Sequence, residues 1–289
     1  MPASPDRKTP ERTGSASRKR LPLPGIAALA LLLGAILLCL FLFRDGGKKE
    51  PAAEAPLRIE ALPSAAPAEP ESPPEQESRE EGVMDYAAYA AARSGSPVVI
   101  EAYVQDRQDW WNGTVTVYAQ DPDGGYFLFD LACPLEDGPG LTPGRKIRVS
   151  GLKSVYRGHA EIIQGSFSFV DAEPWLAEPE DVTELLGTEE LILRQNRLVT
   201  FRDMNVEPYD ESGAAFAYKD PEGQTDDLLF KVSREGAVYE FCVEFYLRGN
   251  DTEVYRTVET LRVGDRVDLE GFLYWDEGPD PHITAVTVK

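Results

Sequence analysis

The sequence predicts a mainly β protein with two tandem domains, placed after a hydrophobic run and a proline-rich segment. Beyond residue 84, apolar and polar residues alternate in short runs bounded by Gly, Pro and Asp, which is typical of β-strands. A motif of the form L-x-x-G-x-x-[IV]-x-[VL]-x-G occurs twice in this part of the chain, which indicates a duplicated domain. A long uncharged run and a run rich in Pro, Ala and Glu come before it.

Charge is distributed unevenly along the 289 residues, which hold 29 Lys and Arg against 50 Asp and Glu. Residues 1–44 contain seven basic and two acidic residues, a net of +5, so the remainder carries 22 basic and 48 acidic residues, a net of −26. Nucleic-acid affinity comes largely from Lys and Arg displacing phosphate counterions. The composition therefore argues against nucleic acid as a partner.

The hydrophobic run Leu21–Phe43 is predicted to be a single transmembrane helix. It has 23 residues without a charge, and a helix of this length crosses a hydrocarbon layer of about 30 Å. Residues 1–20 contain six Lys and Arg, which predicts a cytoplasmic N-terminus and extracytoplasmic C-terminal domains at the cell membrane. A cleaved signal peptide is the alternative. The run is long for one and lacks a small-residue cleavage site, and Leu38 before Cys39 does not suit a lipoprotein signal.

Residues 44–83 are predicted to form a disordered stalk. Seven prolines lie between Gly46 and Gly82, among mostly Ala, Glu and Ser. Such a segment buries too little apolar surface to offset the loss of chain entropy. Fully extended, it would reach on the order of 100 Å and hold the following domains away from the membrane.

The first β domain is assigned to residues 84–172. Met84–Ser94 has helical spacing of its apolar residues. The strands predicted after it are Pro97–Gln105, Thr114–Gln120, Tyr126–Cys133, Lys146–Lys153, and a final pair of runs at Ala160–Ile163 and Phe167–Val170.

The second β domain is assigned to residues 190–289, because Leu141–Gly151 matches Leu261–Gly271 at an interval of 120 residues. The turn in 118–124 also resembles 217–223, and His159 and His282 both come just before the predicted final strand. Residues 173–189 form the linker, and a helix is predicted over Pro179–Arg194.

Each domain resembles an OB-fold, a five-stranded Greek-key barrel. About five strands, a hairpin turn between strands two and three, and a glycine in strand four carry this resemblance, above all in Ile147–Gly151. The sequence is similar to the extracytoplasmic OB-fold proteins of bacteria. The resemblance implies two tandem OB-like barrels with short helices, and an oligonucleotide, oligosaccharide or protein ligand on the face of strands two and three. A pair of β-sandwiches is the alternative architecture.

Alternation places an aromatic row on the outer face of the first barrel, where exposed tyrosines stack on bases or sugars. The predicted ligand-binding residues on this face are Tyr103, Thr116, Tyr118 and Tyr126, with Glu101 and Asp130 beside them. The alternative is that the tyrosines pack against a partner domain or a terminal helix. Trp110 and Trp111 lie in the predicted loop before strand two, which borders the ligand groove of OB-folds. One of them is expected to pack on the barrel end, and the other is a candidate recognition residue.

No metal site or cofactor is expected. Asp121-x-Asp123-Gly124 begins like a calcium loop, but the twelfth position is Ala132 where an EF-hand needs Glu. The run Asp276–Asp280 is an acidic turn with at most weak attraction for a cation. Cys133 and Cys242 are either two buried thiols or one disulfide.

The sequence suggests no catalytic set. It contains two histidines, placed as repeat equivalents, and no G-x-S-x-G, H-E-x-x-H or P-loop motif. The leading hypothesis is therefore a membrane-anchored, non-enzymatic binding module with a protein or cell-envelope glycan as ligand. The alternative is single-stranded nucleic-acid or nucleotide binding at the cell surface through the OB-fold groove. An uncharacterised hydrolase or accessory subunit is the third possibility.

Overall fold

The computed structural model describes residues 82–220 and 226–289. The predicted cytoplasmic tail, the predicted anchor Leu21–Phe43 and almost all of the predicted stalk lie outside the described residues. Within those two ranges, no helix has the length and apolar character needed to cross a bilayer.

The first barrel is closed by five strands, as the sequence predicts. They are β1 (Pro97–Arg107), β2 (Thr114–Gln120), β3 (Gly125–Ala132), β4 (Lys146–Tyr156) and β5 (His159–Phe169). The strand order is β1-β2-β3-β5-β4, and β4 pairs back onto β1. Strands β3 and β5 are parallel, and the other neighbours are antiparallel. This closed five-stranded barrel is an OB-fold.

Helix α1 (Tyr86–Ala91) packs on this barrel and is a shorter form of the predicted helix Met84–Ser94. The Asp85 side chain accepts a hydrogen bond from the Ala88 amide at 2.7 Å and so caps the helix start. Tyr89 is buried in the barrel core, and its ring centroid lies 5.0 Å from that of Tyr126.

The second unit contains another five-stranded barrel with two added strands. Its elements are β6 (Glu180–Asp181), β7 (Leu198–Glu207), β8 (Phe216–Tyr218), β9 (Leu228–Arg234), β10 (Ala237–Val243), α2 (Glu253–Val258), β11 (Arg266–Phe272) and β12 (His282–Val288). Because β7 pairs with both β11 and β9, strands β7, β9, β10, β12 and β11 close a ring. Strands β10 and β12 are parallel, like β3 and β5. Two five-stranded barrels therefore replace the alternative of two β-sandwiches.

The repeated motif has the same backbone hydrogen bonds in both barrels. The Gly144 amide donates to the Val104 carbonyl at 2.7 Å, and the Gly264 amide donates to the Val206 carbonyl at 2.9 Å. Both glycines have φ near +90° (85° and 92°), which favours glycine. The strand pairing also shifts register next to Gly271, as it does at the matching position of β4. The duplication predicted from the sequence is confirmed at this level.

Two predictions for the second half are wrong. Residues Pro179–Arg194 do not form one helix: β6, two short 3₁₀ turns at Thr183–Leu185 and Leu191–Arg194, and a left-handed Gly187 (φ 77°) occupy this stretch. The stretch at 217–223 is not the equivalent of the β2–β3 turn, because Phe216–Tyr218 is the added strand β8, which precedes β9. The true equivalent lies between β9 and β10, where Glu235 and Gly236 have positive φ.

Gly271→Ala is expected to destabilise the second barrel by about 2–3 kcal/mol, because a Cβ there would lie 2.2 Å from the His282 carbonyl oxygen. Strand β12 would have to move away from β11 to relieve the contact. Urea unfolding of the full chain measures the loss. Gly278→Ala is the matched control, since nothing lies within 4 Å of a Cβ at that position. Equal stabilities of the two variants would contradict the described β11–β12 pairing.

Candidate functional site

The outer face of strands β2 and β3 is covered by the second barrel. Tyr118 and Phe127 project from this face and form a buried apolar cluster with Leu247 and Phe272 of the second barrel. The rings of Tyr118 and Phe272 are stacked, with centroids 4.2 Å apart and an interplanar angle of 8°. Tyr118 is 1 % exposed. The surface that serves many OB-folds as ligand groove is therefore an interface between the two barrels in this chain.

Polar contacts fix the relative orientation of the barrels around this cluster. The Leu198 amide donates to Gln120 Oε1 at 2.9 Å, and the Gln195 side chain bonds the backbone of Gly158 and Ala160, both also at 2.9 Å. Arg248 forms an ion pair with Asp106. Partly buried contacts of this kind favour one arrangement over others, because a shifted interface would leave these groups unpaired.

The two histidines lie on either side of Tyr274 within this interface. The Tyr274 ring centroid is 4.1 Å from that of His159 and 4.4 Å from that of His282. His159 Nε2 lies 2.5 Å from Asn196 Oδ1, and His282 Nδ1 lies 3.0 Å from the Tyr118 hydroxyl. Burial lowers the pKa of His159 to about 4 and that of His282 to about 3. Both rings are thus neutral at physiological pH, and both make structural contacts.

A cleft of about 770 Å³ opens beside this interface. Pockets that hold small ligands have volumes of roughly 300–1,000 Å³. The first barrel contributes Phe127, Phe129, Tyr156 and Glu161, among others. The second barrel contributes Tyr274, Cys242, Pro279, His282 and most of the charged groups. The cleft is therefore lined by both aromatic and acidic side chains.

Six carboxyl groups line the cleft, against one ammonium group. The carboxyl groups belong to Glu161, Asp227, Glu240, Glu244, Asp276 and Asp280. The ammonium group is that of Lys219, which lies 2.7 Å from Asp227 Oδ2. Burial alone would lower the pKa of Lys219, but this contact with Asp227 raises it instead. Lys219 thus neutralises one carboxylate, and the carboxyl groups in the cleft lining still outnumber the ammonium group.

Two of these carboxyl groups have pKa values well above the usual range for a carboxyl group. Burial, reinforced by the nearby Asp227, raises the pKa of Glu244 to about 7. Burial, reinforced by Asp276, raises the pKa of Asp280 to about 6. Glu244 accepts a hydrogen bond from the Gln108 amide at 3.1 Å, whereas the Asp280 carboxyl has no hydrogen-bond or ion-pair partner among the described residues. Groups shifted in this way concentrate at functional sites.

The sequence-predicted site residues do not come together in one surface. Tyr118 faces the second barrel. Tyr126 points into the first barrel and is fully buried there, which corrects the prediction that it lies on the outer face. In β3, the inward-facing positions are offset by one residue from those predicted from the sequence. Near Asp130, whose φ is 48°, the β2–β3 pairing shifts register, and the inward- and outward-facing positions exchange again. The Tyr126 hydroxyl donates to Asp121 Oδ2 at 3.0 Å.

The remaining predicted residues lie at other parts of the first barrel. Thr116 is 3 % exposed, and its hydroxyl oxygen accepts from the Asp130 amide at 3.3 Å. Tyr103 packs on Trp175 of the linker, with ring centroids 5.4 Å apart. The alternative prediction, that the tyrosines pack, therefore holds for two of them. Tyr118 packs against the second barrel, and Tyr126 packs against helix α1.

Trp110 and Trp111 lie in the β1–β2 loop, and both are partly exposed. The Trp110 indole N–H donates to the Cys133 carbonyl at 2.9 Å, which ties its ring to the barrel end. The backbone of Trp111 bridges to Thr114 and also accepts from the Thr114 hydroxyl at 3.0 Å, and Trp111 leaves 45 % of its surface in solvent. Trp110 therefore has the packing role, and Trp111 keeps the exposed position that a recognition residue needs.

Trp110→Ala is expected to cost about 3 kcal/mol of unfolding free energy, because it removes the packed ring and leaves the Cys133 carbonyl without its donor. Trp111→Ala is expected to change stability by less than about 0.5 kcal/mol. Chemical denaturation of the two variants measures both values. Equal losses would contradict the division of roles between the two indoles.

Cys133 and Cys242 are both buried free thiols, not a disulfide. Burial raises the pKa of both thiols, that of Cys242 well above its usual value. Protonated, buried thiols are poor nucleophiles. No cluster of His, Cys, Asp or Glu suited to a metal ion occurs within residues 82–220 and 226–289. Asp121 caps a plain hairpin turn by accepting from the Asp123 and Gly124 amides at 2.9 and 2.8 Å.

The cleft residues of the second barrel are the candidates that sequence reasoning missed. Two signals pointed towards them: the matching positions of the two histidines, and the acidic turn Asp276–Asp280, whose ends line the cleft. Nothing in the sequence marks Glu244 and Asp227 as site residues. In so acidic a chain, they look like any other carboxylates until the fold brings them together.

Comparisons with known proteins give weak structural similarity. No protein-family model and no curated protein sequence matches the chain. Among solved structures, a murine DNA-binding protein bound to double-stranded DNA has a TM-score of 0.33 at 13 % identity, covering 67 % of this chain and 96 % of that one. A HIN domain in complex with 20-base-pair double-stranded DNA has a TM-score of 0.31 at 10 % identity, covering 68 % and 96 %.

A replication protein A heterotrimer bound to single-stranded DNA is also similar, with a TM-score of 0.28 at 12 % identity. That alignment covers 71 % of this chain and 52 % of the other. Similarity at this level does not identify a ligand for this chain. The OB-fold assignment rests on the strand order of the barrels.

Proposed function

We propose that this chain is a non-enzymatic, membrane-anchored binding module, and that its ligand enters the cleft between the two barrels. The observation that carries this proposal is the cleft itself, a concave acidic and aromatic surface of about 770 Å³ built from both barrels. The β2–β3 face of the first barrel is buried in the interface, so the ligand surface usual for OB-folds is occupied. The cleft is a concave surface beside it.

Rigid walls support a binding role. Buried side chains and interface hydrogen bonds hold Tyr274, His282 and Glu244 in place, so a ligand would not have to order them on binding. A non-enzymatic role is supported by the state of His282 and Cys242, the imidazole and the thiol that line the cleft. His282 is neutral and hydrogen-bonded to Tyr118, and the Cys242 thiol is held in its protonated form. Neither is prepared for general-base or nucleophilic chemistry.

Attachment to the cell membrane through residues 21–43, with the barrels outside the cytoplasm, is part of the same proposal. It rests on the uncharged run and the basic residues before it. Protease treatment of intact cells tests it. We expect the barrels to be digested from outside while an epitope tag at residue 1 stays protected, and the chain to resist alkaline extraction. A tag digested together with the barrels, or release into the alkaline supernatant, would contradict the proposed topology.

Site-specific photo-crosslinking in the native cells tests the cleft as the ligand site. A photoreactive residue replaces Tyr156, which lines the cleft and is 59 % exposed, or Val263, which is 45 % exposed and lies outside it. We expect an adduct on the full chain from position 156 and none from position 263. An adduct from position 263 alone, or from neither position, would overturn the cleft as the binding site.

Single-stranded nucleic-acid binding is a second candidate, favoured by the exposed Trp111 in the β1–β2 loop. Electrostatics oppose it, because residues 82–289 hold 18 basic and 38 acidic residues, a net of −20. The same crosslinking experiment separates the two candidates. A photoreactive residue at position 111 that captures nuclease-sensitive material would establish the nucleic-acid function and contradict the cleft proposal.

A further inference from the structure

We propose that the cleft between the barrels binds the cationic side chains of a basic polypeptide segment, so that the partner is a Lys- or Arg-rich protein. This inference rests on the proposed function and deepens it by naming the class of ligand. It differs from the sequence-based expectation of an unspecified protein or glycan.

The negative charge of the cleft carboxyl groups is only partly compensated by nearby cations. Of the six carboxyl groups in the cleft, Lys219 pairs with that of Asp227, and Arg157, just outside, pairs with that of Asp276. Glu244 is satisfied by the neutral amide of Gln108 and by backbone N–H groups. Asp280 forms no hydrogen bond or ion pair within the described residues, and Lys219, the cation that lowers its pKa, already pairs with Asp227. An arriving ammonium or guanidinium group would supply the missing opposite charge in a partly buried place, where it acts more strongly than in water.

Aromatic side chains line the cleft together with these carboxylates. Phe127, Phe129, Tyr156 and Tyr274 line the cleft, and Phe129 and Tyr156 are 41 % and 59 % exposed. Cations are attracted to aromatic faces, and the aliphatic stems of Lys and Arg cover apolar surface while the charged head seeks a carboxylate. A cleft lined by both aromatic residues and carboxylates is thus complementary to long cationic side chains.

The same observations argue against a nucleic acid or a neutral glycan as the ligand of the cleft. Phosphate groups would meet six carboxyl groups in a part of the chain that is strongly acidic. A neutral glycan could stack on the aromatic side chains, but it would bring no charge to the buried carboxyl groups of Glu244 and Asp280. The cleft volume of about 770 Å³ accommodates several side chains, as a segment of extended polypeptide presents them.

Fluorescence anisotropy with a labelled ten-residue oligolysine peptide tests the inference on the full chain in non-ionic detergent at pH 8. The cleft variant is Glu244→Gln with Asp280→Asn. The matched control is Glu189→Gln with Glu211→Gln, which removes the same two charges from exposed positions. We expect the cleft variant to weaken binding at least about 10-fold and the control less than about 2-fold, with both melting at or above the temperature of the unmodified chain.

Equal weakening by the cleft and control variants would overturn the inference, because it would mean non-specific attraction to an acidic surface. So would tighter binding of a fully acetylated oligolysine, a neutral oligosaccharide or an oligothymidylate. The crosslinking experiment keeps the two proposals apart. A partner captured at position 156 that proves to be a glycan or an uncharged protein segment refutes the cationic ligand and leaves the cleft as the binding site.

Discussion

Replacing Tyr118 by Ala is expected to lower the free energy of unfolding by about 4 kcal/mol and to uncouple the two barrels. The change removes a fully buried ring stacked on Phe272 and the hydroxyl that bonds His282 Nδ1. Without this ring the second barrel loses its main apolar contact with the β2–β3 face. Calorimetry of the full chain should then show two separate unfolding transitions where the unmodified chain shows one for the paired barrels.

Tyr156→Ala is the matched control for Tyr118→Ala. Tyr156 is also on the first barrel, but more than half of its surface is exposed, so its loss is expected to change stability by less than about 0.5 kcal/mol. Tyr118→Phe separates packing from hydrogen bonding, because it keeps the stacked ring and should lose only about 1–2 kcal/mol. A small loss for Tyr118→Ala would mean that the β2–β3 face is not held against the second barrel.

Replacing Glu244 by Gln is expected to raise stability at high pH relative to the unmodified chain, and not at low pH. The pKa of Glu244 rises from its ordinary value of 4.5 to about 7 on folding because the carboxyl group is buried, so the folded state favours the protonated form. That contribution is fully present below pH 4.5 and is lost as the pH rises through 7. At about 1.36 kcal/mol per pKa unit, the difference amounts to about 3 kcal/mol. Gln does not ionise and escapes this loss.

Urea unfolding at pH 4.5 and pH 8.5 measures this effect. At each pH, the free energy of unfolding of the variant is compared with that of the unmodified chain, and the gap between them should differ between the two pH values. The exposed Glu189→Gln serves as control and should give the same difference at both pH values. The histidines act in the opposite direction, since their depressed pKa values make acid destabilising between pH 6.5 and about 3–4 in both proteins. A pH-independent difference for Glu244→Gln would contradict the burial of its carboxyl group.

The sequence predicted the fold well because local signals and a repeat agreed. Leu141–Gly151 and Leu261–Gly271 fixed the fourth strand in each barrel, and their glycines occupy turns and register shifts that need them. Helix α2 was missed, although its buried residues Val254, Tyr255 and Val258 have helical spacing. The helix over Pro179–Arg194 failed because grouped leucines pack as two 3₁₀ turns against the second barrel core.

The candidate site was much harder to predict, because it forms between domains. Alternation correctly placed Tyr118 outside the first barrel, but nothing local shows that Phe272 and His282 cover it. Tyr126 was misassigned by a one-residue error in phase, which reverses the face of every side chain in a strand. Glu244 and Asp280 become unusual only when the fold buries them beside Asp227 and Asp276.

Proton release on ligand binding tests most directly the central claim, that a cationic ligand enters the cleft between the barrels. A cation beside Glu244 and Asp280 lowers their raised pKa values, so these groups must release protons as it binds. Titration calorimetry of the full chain with oligolysine at pH 6.5, in two buffers of different ionisation enthalpy, measures the number released. We predict a release of about one proton per site, abolished in the Glu244→Gln and Asp280→Asn double variant and retained in the Glu189→Gln and Glu211→Gln control. Binding without proton release, or equal release from both double variants, would contradict the claim.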